Sequence, residues 1–277
     1  YANRLMNAFG SPNTVGNGSV CHVARDMAHV YTYGAMTLPQ IRASRCILVW
    51  GKSDPDTNPT ATEAIFAARK QGARLIVHYR SSRDEAKVLY DELTQKRPDS
   101  VALVQADLLD IELLSGLIEK AINRFGRLDV LINNASSFFP TLLQQCTLQD
   151  WNDLVGSNLQ APLFLSQAAA PYLKERQGCV INIVDIHTER PLKNYVIYNA
   201  AKGGLLSLTK SLAVEMAPEV RVNGVSPGPI LWPEDGEWAD EAARQHIIAS
   251  TLLKRCGEPD DIAKTVQFLI ADAPYIT

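Results

Sequence analysis

The stretch that decides the fold runs from residue 179 to 229 and reads CVINIVDIHTERPLKNYVIYNAAKGGLLSLTKSLAVEMAPEVRVNGVSPGP. It begins with a short apolar run, 179–184, and ends with another, 220–226. Between them, 195–217 carries Leu205, Leu208, Leu212 and Met216 at helical spacing, which marks a buried stripe. Strand, helix and strand in this order form a parallel unit. The same rhythm extends upstream to residue 45, with strands expected at 46–50, 74–79, 101–105 and 128–133. Helices are expected near 61–71, 83–96, 110–125 and 147–175. Strands rich in Val, Ile and Leu, separated by helix-length segments, imply an α/β fold of Rossmann-like type. It is a doubly wound parallel sheet with helices on both faces. Ligands in such a sheet bind at the carboxyl ends of the strands.

The chain has 277 residues, 46% of them apolar, enough for one large domain. A net charge of −3 with no long basic run gives no reason to expect nucleic acid, and no apolar run is long enough to span a membrane. Cys21, Cys46, Cys146, Cys179 and Cys256 are scattered without metal-ligand spacing, so no metal site is expected. This cysteine usage and the lack of a signal peptide fit a reducing, cytoplasmic location. The first residue is Tyr1, as expected of a fragment or a processed product. Residues 1–44 stand outside the rhythm as an irregular N-terminal extension; 45–277 form the main domain.

Tyr198 and Lys202 lie four apart on one helix and project from one face. An ammonium there would lower the Tyr pKa and let the phenol deliver a proton. Taken alone, the pair reads as an ordinary Tyr and Lys on a helix. Its surroundings carry more weight. Asp185 ends the strand CVINIVD, Asn133 and Asn134 end 128–133, Asn158 lies in the helical DLVGSNLQAP, and Pro227 and Gly228 follow the last strand. Several strand ends thus bring polar groups to one edge of the sheet.

With NNASSFFPT (133–141), Asn158, the Y-x-x-x-K pair, RVNGVSPG and HYRSS (78–82), residues from about 74 to 277 resemble the short-chain dehydrogenase/reductase family. The resemblance is closer to its pteridine reductase branch, which includes dihydromonapterin reductase-like enzymes, because Asp185 stands where most relatives carry Ser. It implies that Tyr198 is the general acid, that Lys202 lowers its pKa and holds the nicotinamide ribose, and that Asp185 relays a proton to the pterin. Asn158 would support a water chain behind Lys202. Phe138 would stack on the flat pterin, and Ser136 would bind pterin and cofactor. Asn134, Ala135, Pro227 and Gly228 would line the cofactor. The end of the second strand carries His78, Arg80, Ser81 and Ser82, with no acid before Asp84; that set suits a 2′-phosphate and favours NADPH over NADH. Asp107 would face the adenine. A small-molecule pterin substrate and a homo-oligomer, a tetramer built on 147–175 and 195–217, are likewise implied.

Two features depart from the family. The first loop reads WGKSDPDTNPTATEA (50–64) where a Gly-rich phosphate loop belongs, and the chain stops at DAPYIT (272–277), where relatives continue into a final strand. Residues 1–73 instead resemble a segment of molybdopterin oxidoreductases, through NAFGSPNTVGNGSVCH (7–22) and the strand and loop from 41 to 77. The chain is therefore expected to be a chimera joined near 73–78, with a first β-α unit (45–73) of foreign type. Cys21 and His22 read as loop residues rather than ligands. Three functions stay open: an active NADPH-dependent pterin reductase, a folded but catalytically impaired chimera, and a molybdopterin-binding fragment.

Overall fold

The computed structural model describes residues 46–50, 73–230 and 240–277, the first of these as backbone. The extension 1–44, Cys21 and His22, the loop 51–60 and the helix expected at 61–71 lie outside the described residues. Six strands pair in parallel in the order β3-β2-β1-β4-β5-β6. They are β1 (Cys46–Trp50), β2 (Arg74–Tyr79), β3 (Val101–Gln105), β4 (Val130–Asn133), β5 (Cys179–Ile183) and β6 (Arg221–Val225). All six coincide with expected strands to within about two residues, the usual uncertainty of strand ends. β1, from the segment expected to be foreign, aligns Cys46 with Arg74 on one side and Ile47 with Val130 on the other.

The strand side chains divide by alternation between two cores. Ile76, Leu131 and Val180 enter one core with Leu117, Ile118, Leu165 and Met216. Leu75, Val77, Val130, Ile132 and Ile181 enter the other, with Leu93, Val266 and Ile270. The helices on the first face are α2 (Leu114–Phe125), α4 (Ala161–Arg176) and α5 (Val196–Met216). Those on the second are α1 (Arg83–Lys96) and α7 (Pro259–Ala271). Each fully buried Leu or Ile contributes on the order of 1.5–3 kcal/mol. α2 shows why a helix forms here: Leu114, Leu117, Ile118, Ala121 and Phe125 are buried on one stripe, and Gly126, at φ 75°, closes it in the left-handed region.

Two expectations are corrected. The helix expected over 147–175 is broken: α3 (Leu148–Val155) passes through a π-helical turn, Gly156–Gln160, before α4 begins. The span 110–125 opens with a 3₁₀ turn, Ile111–Leu113, ahead of α2. In the wider turn the Ser157 hydroxyl and Asn158 Nδ2 donate to the Asp153 and Leu154 carbonyls, bonds that periodicity does not record. α6 (Glu241–Ser250) and α7 lie beyond the part of the sequence assigned by periodicity. No helix among the described residues is long and apolar enough to cross a membrane.

Candidate active site

The strand order reverses between β1 and β4, so the loops leaving their carboxyl ends part and open a crevice. Around that edge the loops after β4, β5 and β6 and the start of α5 bring the expected polar residues together. Asp185 follows β5, and its two carboxylate oxygens are both engaged. Oδ1 accepts from the His187 backbone N–H at 2.8 Å, and Oδ2 accepts from the Tyr198 hydroxyl at 2.6 Å. Tyr198 is 4% exposed and Lys202 2%. The Lys202 ammonium donates to the Ile183 carbonyl at 2.9 Å and lies 5.8 Å from the centre of the Tyr198 ring.

These contacts correct the expectation that Lys202 lowers the Tyr198 pKa. Burial, and then the charge and hydrogen bond of Asp185, push the Tyr198 phenol well above the ordinary tyrosine value, with a smaller opposing pull from the Ser136 hydroxyl. Lys202 meets the ring face rather than the phenolic oxygen. Burial lowers its own pKa from 10.5 to about 8, partly offset by Asp185. It stays largely protonated at neutral pH, and Tyr198 stays a phenol.

Asn158, buried in the π turn, donates through Nδ2 to the carbonyls of Leu154 and Ser137, both at 2.9 Å. Its Oδ1 accepts from the Ser136 hydroxyl at 2.6 Å. It therefore fastens the β4 loop, and the expected link toward Lys202 is not among its direct bonds. A π turn is the local distortion that lets a helical Asn face inward at this depth. Asn133 and Asn134 end β4 as buried side chains. Asn133 donates to Asn182 at 2.8 Å, and Asn182 donates to Thr209 on α5 at 2.9 Å, a polar chain that ties β4, β5 and α5 together. Ala135 packs against the first core. Pro227 accepts from the Ile186 N–H at 3.2 Å, which sets Pro227 and Gly228 beside the loop carrying Asp185.

Phe138 is stacked on Tyr195, with centroids 4.6 Å apart and an interplanar angle of 16°, and lies edge-to-face with Tyr198 at 4.9 Å. Tyr195 was not singled out from the sequence, nor was Asp153, which accepts a 2.6 Å hydrogen bond from the Ser137 hydroxyl. The signal for Tyr195 is its place three residues before Tyr198, at the entry of α5. For Asp153 it is an acid five residues before the inward-facing Asn158.

At the far end of the crevice Arg80 and Asp107 come together as an ion pair, 3.0 Å apart and 42% exposed on both sides. Ser81 and Ser82 lead into α1, and the Ser82 side chain makes no capping bond. His78 is a correction. It is 2% exposed, and its Nε2 lies 2.8 Å from the Ala106 carbonyl, so it braces the β3 loop instead of facing an anion. A β2 position whose side chain enters the sheet interior has this fate.

Comparison with known proteins agrees with the geometry. The family described as enoyl-(acyl carrier protein) reductase matches residues 61–277, starting ahead of the junction expected near 73–78. A 3-oxoacyl-[acyl-carrier-protein] reductase FabG from Staphylococcus aureus is 35% identical over 211 residues, covering 75% of this chain and 85% of its own. An uncharacterized oxidoreductase from Methylorubrum extorquens is 35% identical over 216 residues, 76% of this chain and 86% of its own. Among solved structures, a short-chain dehydrogenase/reductase (glucose/ribitol dehydrogenase) from Brucella melitensis aligns with a TM-score of 0.73 at 26% identity, over 84% of this chain and 92% of that one. A six-stranded 3-2-1-4-5-6 sheet, a Tyr and Lys four apart at its carboxyl edge and these matches lead to one assignment: the chain belongs to the short-chain dehydrogenase/reductase family of oxidoreductases.

Proposed function

We propose that this chain reduces a pterin with NADPH. The observation that carries the reading is the Asp185 carboxylate bonded at 2.6 Å to the Tyr198 phenol. A carboxylate in the place of the serine common among relatives suits a substrate whose ring nitrogens must be protonated, whereas a carbonyl substrate needs only hydroxyl hydrogen bonds. Phe138, held against Tyr195 at the same edge, offers an aromatic surface suited to a flat heterocycle.

The residues present fit a dinucleotide. Arg80, Ser81 and Ser82 at the end of β2 and the amino end of α1 suit a 2′-phosphate, and no carboxylate on β2 opposes it. Asp107, paired with Arg80, would meet the adenine, Asn134, Ala135, Pro227 and Gly228 would line the cofactor, and the Lys202 ammonium would hold the ribose. When bound, the nicotinamide supplies the hydride. Tyr198 and Asp185 hold one proton between two oxygens, beside the loop that carries Ser136 and Phe138. A ring nitrogen made basic by reduction takes that proton from Tyr198, and half-buried Asp185 passes its replacement inward from solvent.

The relatives named as 3-oxoacyl reductases favour a second reading, in which Tyr198 protonates a carbonyl oxygen. Oxidation of NADPH by the purified chain with dihydrobiopterin, dihydrofolate or a 3-oxoacyl thioester separates the two. The pterin reading predicts kcat/KM for a pterin at least about tenfold above the thioester, and Asp185→Ser reduces the pterin rate by about 10²-fold. A thioester preference in the wild-type protein overturns it. The molybdopterin-oxidoreductase origin expected for residues 1–73, of which 61–73 fall within the matched family segment, belongs to this proposal too, as does the catalytically impaired state that the loop 51–60 would produce.

A further inference from the structure

The loop that carries Ser136 and Phe138 is fastened on two sides, and one fastening is a carboxylate outside the proton-transfer pair. On one side, Thr141 N–H donates to the Asn194 carbonyl at 2.6 Å, its hydroxyl accepts from the Ile197 N–H at 3.3 Å, and Phe138 rests on Tyr195. On the other side stands the junction of α3 with the π turn. There the Ser137 hydroxyl donates to Asp153 Oδ1 at 2.6 Å, the Ser136 hydroxyl donates to Asn158 Oδ1 at 2.6 Å, and Asn158 Nδ2 donates to the Ser137 carbonyl at 2.9 Å. Two consecutive residues are thus gripped by three side-chain bonds from one turn of helix. The next residue is Phe138.

Asp153 is half-buried, and no cation pairs with it among the described residues. A hydroxyl bonded to an unneutralised carboxylate makes a short, charge-assisted hydrogen bond, stronger than its neutral equivalent. The Ser157 hydroxyl also donates to the Asp153 carbonyl at 2.7 Å, within the same distorted turn. The backbone of the residue that holds Ser137 is therefore tied to the turn that directs Asn158 inward. We propose that Asp153 is a positioning residue: acting through Ser137, it fixes where the Ser136 hydroxyl and the Phe138 ring meet the substrate. The choice of assay substrate rests on the pterin reading; the clamp itself does not.

The test uses the full chain with Asp153→Ala, Asp153→Asn, Ser137→Ala and the double variant Asp153→Ala/Ser137→Ala. Asp153→Ala and Ser137→Ala each raise the pterin KM about tenfold, with kcat within about threefold and NADPH affinity within about twofold of wild type. Asp153→Asn, which keeps an oxygen to accept from Ser137, recovers KM to within about threefold. The double variant is no worse than the poorer single one, because both remove the same bond. Amide hydrogen exchange reads the clamp without any substrate: Asp153→Ala speeds exchange at 136–139 by about tenfold and leaves 180–183 in β5 unchanged.

Unchanged exchange at 136–139, or additive effects of the two substitutions on KM, overturns the proposal. A parallel loss of NADPH affinity and of β5 protection also overturns it, since it would show a merely structural role. If the wild-type chain turns over no pterin, the functional reading fails, and the exchange measurement still decides the clamp. If Asp153→Ala does not fold, Ser137→Ala carries the same comparison, replacing a half-buried loop hydroxyl with an inert methyl.

Discussion

Lys202 carries a charge that the folded chain holds at a cost. Its pKa falls from 10.5 to about 8 through burial, so below pH 8 the folded chain bears the full penalty of a desolvated ammonium. Between about pH 8 and 10.5 the unfolded chain binds more protons than the folded one, and stability rises with pH across that window. Lys202→Met should therefore stabilise the unliganded protein at pH 7 by about 1–3 kcal/mol, with the gain shrinking toward pH 10.5, as read by urea denaturation at both values. Tyr198 has the opposite sign. Its raised pKa keeps the proton on the folded chain above pH 10, and stability declines there. For turnover, Tyr198→Phe should lower kcat by about 10²–10³-fold with NADPH affinity changed by less than about threefold, measured by steady-state rates and fluorescence titration. At this scale the sequence revealed which residues gather, since Asp185, Asn158, Tyr198 and Lys202 all stand at the expected edge. It did not reveal which atoms they bind. Whether Lys202 faces the phenolic oxygen or the ring, and whether His78 points out or in, depends on packing between elements far apart in the chain.

Among the elements, the junction of α4 with β5 is the least forgiving. A Cβ at Gly178 would overlap the Asp129 carbonyl and come within 3.1 Å of Leu173 Cδ2, and the Asp129 carbonyl also accepts the Cys179 N–H at 3.0 Å. Gly178→Ala must push β5 away from the residue preceding β4; a loss of about 1–3 kcal/mol is expected, read as a lower urea midpoint with unchanged slope. The loop 51–60 carries a prediction of another kind. Asp54 and Asp56 add two negative charges to the stretch of sequence in which the family resemblance implies a Gly-rich phosphate loop. Replacing both with Asn should tighten NADPH binding by about tenfold, since each like charge at ~4 Å costs about 1 kcal/mol or more. Strands and amphipathic helices were legible because each has one apolar period; α2 is an example. The π turn was not, because Gly156–Gln160 differs from regular helix only in a widened hydrogen-bond ladder. Neither α6 nor α7 was assigned from the sequence: α7 carries Pro259 in its first turn and a buried stripe of Ala263, Val266 and Ile270 that went unread, whereas α6 has no buried residue to reveal it.

For the whole molecule, apolar side chains left uncovered on the single chain raise the question of assembly. Leu148 and Trp151 on α3, Leu163 on α4, and Val196 and Val214 on α5 are 39–77% exposed. These helices cover the spans on which a tetramer is expected from the family resemblance. Light scattering of the purified protein should give a mass of several chains, and a monomer at micromolar concentration would contradict it. The central place of β1 has a consequence for how the chain is made. Among the described strands it alone joins β3-β2 to β4-β5-β6; its first partner starts at residue 74 and its second at residue 130. A chain emerging from the ribosome therefore presents CILVW long before the second partner exists, and cannot join the two halves of its sheet until β4 has been synthesised. β1 is thus the strand whose waiting time sets the hazard of misassembly.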